Sequence, residues 1–147
     1  MTENPVRRSG EPASVVDLML LEGLDDFVDA SWVFGLTIDA GAVTDDDRRC
    51  MTVGAIAEVL ARGFMEPGGF ADMEYRVWDC TTAEAIARIA IHWATVGNVS
   101  PLSNEIVWLR NTPAGDEYVR SLELAYAPDA HGEPGSNSGQ PTVKSEP

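Results

Sequence analysis

Apolar positions along this chain come in short blocks, punctuated by glycines and acidic residues. From Ser14, "SVVDLMLLEG" predicts a short helix, with Ser14 and Asp17 set as a capping-box-like pair and Gly23 as its stop. Asp25 is placed to cap a second helix over "DFVDASWVFGLTIDAG". Its apolar stripe runs through Phe27, Trp32 or Phe34, and Ile38, and Gly41 ends it; Gly35 lowers its helix propensity. The clearest periodicity follows Thr44. In "TDDDRRCMTVGAIAEVLARG", Cys50, Val53, Ile56, Ala57 and Leu60 fall at steps of three and four, which predicts one buried face. Asp45, Asp46 and Asp47 fill the first turn, where the helix dipole favours negative charge. Gly63 is placed just past the helix end.

Beyond Gly63 the period changes. "FMEPGGF" predicts a strand with a Pro-Gly-Gly turn, and "MEYRVWD", Met73 to Asp79, a partner strand or an extended loop. Thr81 and Glu84 form a capping box for a helix carrying Ile86, Ile89, Ala90, Trp93 and Val96, closed by Gly97. The loop "NVSPLSN" leads to a half-apolar strand from Glu105 to Arg110. Thr112 then caps a last helix. Pro113 occupies its first turn, where a missing N–H is harmless, and Tyr118, Val119 and Leu122 provide its inner face. The two ends lack such blocks. Residues 1–12 hold little to bury, and residues 127–147 are rich in Pro, Gly and Ser. Neither can offset its ordering entropy, so both are expected to be disordered around a domain at 13–126.

Two phrases carry a resemblance. "GAIAEVLARGFMEPGGF" is similar to the recognition helix of a winged-helix domain passing into its first wing strand. "EIVWLRNTPAGDEYV" is similar to the returning strand and closing helix of such domains. The matching parts cover about half of the chain, and a helix of about four turns within residues 71–103 stands where a short wing is usual. The resemblance implies an α+β, mostly helical fold: four to five helices with a small two- to three-stranded antiparallel sheet. The layout of Trp, acid, helix, Trp, strand and Thr-x-x-Gly is also similar to small uncharacterised proteins of high-GC bacteria, which carries no activity with it.

Charge argues against the use that a winged helix usually implies. The 147 residues hold 24 acids and 10 bases, for a net charge of −14. Within 13–126, seven arginines face nineteen acids, leaving −12, so the acidity belongs to the domain. In the usual docking, the start of the recognition helix enters the major groove. Here that start is "TDDDRR", which brings three carboxylates toward phosphates that Lys and Arg normally neutralise. Arg48 and Arg49 are placed to reach outward, yet Asp45 can pair with Arg49 at i,i+4. Nucleic acid is therefore not the expected partner.

Candidate chemistry is sparse. His92 precedes Trp93 on a helix, His131 lies in the tail, and neither has a nucleophile or base partner at a recognisable spacing. Cys50 sits on the apolar stripe, which predicts a buried thiol, and Cys80 stands in a turn before a helix cap. Cys50, Cys80 and His92 do not form a metal-ligand spacing, and Asp45–Asp47 lack the alternating ligands and glycine of a calcium loop. The expectation is a protein that is not an enzyme and binds no metal or cofactor. No apolar stretch has the length or flanks of a signal peptide or a membrane span, so a cytoplasmic protein is expected.

What remains is the surface. Asp25, Asp26, Asp29, Asp45, Asp46 and Asp47 offer a negative field that would steer a basic partner, with Trp78 and Trp108 as anchors. Two readings follow. One is an acidic interaction module that binds a basic protein, immunity- or antitoxin-like in character. The other is a dimeric transcription regulator that places the third helix, 44–62, on DNA.

Overall fold

The computed structural model describes residues 14–96, 101 and 105–126, the last four of these as backbone alone. The expected disorder of residues 1–12 and 127–147, and the helix stop at Gly97, lie outside the described residues. The chain falls into two compact units. The larger, Pro12–Val119, holds every element up to the middle of the last helix; of the other, only residues 120–126 are described.

Among the described residues, five helices and a four-stranded antiparallel sheet make an α+β, mostly helical fold. The elements are α1 (Val15–Gly23), β1 (Val28–Asp29), α2 (Ala30–Leu36), α3 (Asp45–Ala61), β2 (Met65–Ala71), β3 (Glu74–Val77), α4 (Thr82–Val96), β4 (Trp108–Asn111) and α5 (Pro113–Tyr126). The strands lie in the order β1-β4-β2-β3, so the late strand β4 inserts between the two early ones.

The helix caps read from the sequence are largely those that form. The Ser14 hydroxyl accepts from the Asp17 N–H at 3.1 Å. Thr44 and Asp47 make a reciprocal capping box for α3, as do Thr81 and Glu84 for α4. Thr112 Oγ1 accepts from the Gly115 N–H and donates to the Gly63 carbonyl. The bonds accepted by Ser14, Thr44, Thr81 and Thr112 each satisfy a backbone donor that the first helical turn leaves without a partner. Gly63 adopts φ +73°, the left-handed conformation that turns the chain from α3 into β2.

Several expectations are corrected. Asp25 does not cap α2. Val28 and Asp29 pair with Leu109 and Trp108 as a short strand, which moves the cap to Asp29, whose side chain accepts from the Trp32 N–H at 2.9 Å. α2 ends at Leu36, so Gly41 belongs to the following turn, and only Phe34 of the expected stripe is buried. The Pro-Gly-Gly segment is no turn: β2 runs straight through it, and the reversal comes at Asp72–Met73. The Pro67 carbonyl accepts from the Trp78 N–H, so Pro67 faces a residue just past the end of β3 and its missing N–H falls outside the β2–β3 ladder. The sheet accordingly has four strands rather than two or three. Finally, Cys50 is exposed, because the buried face of α3 is Thr52, Ala55, Ile56, Val59 and Leu60.

The core joins Met19 and Leu20 of α1, Val33 and Phe34 of α2, the α3 face, Ile89 and Trp93 of α4, and Met65 and Leu109 of the sheet. Phe34 and Trp93 meet with ring centroids 6.0 Å apart. On the other face of the sheet, Phe70, Tyr75 and Trp108 cluster with Phe27 at centroid distances of 4.7–5.6 Å, and all four remain partly exposed.

Candidate functional site

The acidic start of α3 is built around its cap. Asp47 accepts from the backbone N–H groups of Thr44 (3.1 Å) and Val43 (3.3 Å), bonds that hold its carboxyl below the usual carboxylate range. That carboxylate is occupied in folding the helix. Asp45 and Asp46 project from the same turn, both exposed, and Asp46 takes Arg49 at 2.6 Å. The pairing is thus i,i+3 from Asp46 and not the expected i,i+4 from Asp45. Asp39 is also exposed, in the turn that links α2 to α3.

Arg48 turns inward instead of out. Its Nε donates to Thr37 Oγ1 (3.2 Å), its Nη2 donates to the Phe34 carbonyl (3.1 Å), and the guanidinium lies 4.0 Å from the Phe34 ring centroid. A fork of donors suits this task, because it answers a carbonyl and a hydroxyl at the end of α2 while covering an aromatic face. Elsewhere Arg62 pairs with Glu58, Arg76 with Glu74 and Arg110 with Glu66. The arginines of Pro12–Val119 are spread over α3 and its C-cap, β3, α4 and β4.

Of the other acids proposed from the sequence, Asp25 and Asp26 are exposed in the loop before β1. Asp29 is a correction. It is 5% exposed, and its carboxylate accepts from Trp32 N and Ser31 Oγ, so its charge serves α2 and is not presented to a partner.

The two tryptophans nominated as anchors meet at one cleft. Trp78, at the end of β3, and Trp108, in β4, line a cavity of about 300 Å³ together with Gly69, Phe70, Arg88 and His92. Both tryptophans are half-buried. The Arg88 guanidinium stacks 3.6 Å from the Trp78 ring centroid. His92 Nε2 meets the Glu105 carbonyl at 3.0 Å, which ties α4 to the segment leading into β4. Arg88 and His92 are four residues apart and therefore share a helix face. That spacing was the available signal for the pair, but their common cavity wall comes from residues 105–108, distant in sequence.

Cys50 in α3 and Cys80 in the segment between β3 and α4 are exposed thiols, and among the described residues no group of His, Cys, Asp and Glu is placed to hold a metal ion. No described helix is long and apolar enough to cross a membrane. Compared with known proteins, the chain matches no family model, no curated protein and no solved structure.

Proposed function

We propose that the Pro12–Val119 unit is a non-catalytic interaction module whose partner is a basic protein, immunity- or antitoxin-like in character. The observation that carries this reading is the division of labour at the start of α3. Asp45 and Asp46 face solvent, whereas Arg48 is spent on α2 and Arg49 on Asp46. A duplex approaching this turn meets carboxylates with no free cation among them. A basic surface meets a field that speeds encounter. Asp47 is left out of the partner-facing set, because its carboxylate closes the helix cap.

The test uses the partner recovered from native cell extract with the intact protein as bait. The double variant Asp45→Asn/Asp46→Asn keeps the Thr44–Asp47 cap and removes two charges from the face. Its association rate at low salt is expected to fall by about tenfold, with little change at high salt. An unchanged rate removes this turn from the interface.

A second reading draws on the strand order. A helix, a short strand, two helices and a strand open the fold, and after β3 and α4 the strand β4 returns between β1 and β2; on the winged-helix resemblance, α3 would be the recognition helix. This supports the alternative of a transcription regulator that uses residues 44–62 on DNA. The inward Arg48 and the exposed aspartates weigh against it.

A further inference from the structure

The cleft beside α4 differs in chemistry from the rest of the surface. Its walls are Trp78, Trp108 and Phe70, together with Ile106 and Val107. Gly69 leaves room in it: a Cβ there would meet no atom within 4 Å. Among the described residues Arg88 makes no ion pair or hydrogen bond, and its one contact of note is the stack on Trp78. Arg48, Arg49, Arg62, Arg76 and Arg110 are each bonded to an oxygen of the protein. A guanidinium centred 3.6 Å over an indole, with no hydrogen bond to the protein among the described residues, has its N–H donors left for an acceptor, and their fork suits a two-oxygen carboxylate.

We propose that this cleft is a binding site for a small planar aromatic monocarboxylate. The ring of the ligand lies beside Trp78 in the open space at Gly69, with the strand segments at Phe70 and Trp108 as the cavity wall, and its carboxylate takes the free edge of Arg88. The volume sits at the small end of ligand pockets, enough for one or two fused rings. A single negative charge is favoured over a phosphate, because the unit is itself strongly negative and Glu105 lies on the rim. This site is separate from the acidic turn of α3 and stands whether or not that turn meets a basic protein.

The experiment is an NMR titration of the full chain that follows the indole N–H signals, with indole-3-carboxylate as probe and indole-3-carboxamide as its neutral match. The expected result is a saturable shift of the Trp78 and Trp108 signals with the acid, and little movement of those from Trp32 and Trp93. The amide and phenyl phosphate should bind more weakly. Arg88→Gln should lower affinity for the acid by about tenfold or more. Gly69→Leu should abolish binding by filling the space, with an unchanged far-UV circular dichroism spectrum. Absence of a saturable shift, equal binding of the amide, or undiminished binding by Arg88→Gln overturns the proposal.

Discussion

Asp29 shows how one carboxylate can be claimed by the backbone. It pairs across the sheet through its main chain with Trp108 and caps α2 through its side chain. Asp29→Ala removes the cap acceptor and should cost about 1–2 kcal/mol of stability, while Asp29→Asn, an equally good cap, should keep most of it. Urea unfolding of the two variants checks this. Read along the sequence, the cap falls at Asp25, and no local signal moves it to Asp29. The choice is made by the pairing of Val28 with Leu109, a contact far along the chain. Arg48 was illegible for the same reason, since its acceptors belong to a different helix.

Helices were legible where their signals are local. The Thr44, Thr81 and Thr112 caps, and the periodicity of α3, are properties of a few neighbouring residues, and they placed α3, α4 and α5 closely. β1 is two residues long and has no pattern of its own, so it was read as part of a helix. Two predictions belong at this scale. Asp47 and Glu84 are both held below their ordinary range, first by backbone bonds to Thr44 and Thr81 respectively. A lowered carboxyl contributes stability above its unfolded value, about pH 4, and that contribution is lost as pH falls through the lowered value. A double variant Asp47→Asn/Glu84→Gln should therefore show a flatter dependence of stability on pH below about 4.5 than the native chain, measured by thermal unfolding. The β2–β3 hairpin is the second case. Asp72 and Met73 both hold positive φ, 51° and 66°, and the Met73 side chain is 95% exposed and packs on little. Two-residue turns of this kind favour Asn-Gly. Met73→Gly should raise stability by about 1 kcal/mol, seen as a higher urea midpoint.

At the scale of the whole molecule, charge weighs against the DNA-binding alternative proposed above. Carboxylates outnumber arginines, and Arg48, Arg49, Arg62, Arg76 and Arg110 are each bonded to the protein itself. The excess charge was readable from composition alone. Its arrangement was not, because the direction of Arg48 and the burial of Asp29 depend on packing. Likewise Trp78 and Trp108 could be named as candidate anchors, but the cleft that unites them, with Arg88 and His92, exists only once α4 and residues 105–108 come together. The central claim is that this surface does not take up polyanions. Fluorescence anisotropy of a labelled duplex of mixed sequence, titrated with the full chain at about 20 mM salt, where charge attraction is least screened, tests it most directly. The account predicts no rise in anisotropy across the micromolar range; a saturable rise that disappears as salt is added would contradict it.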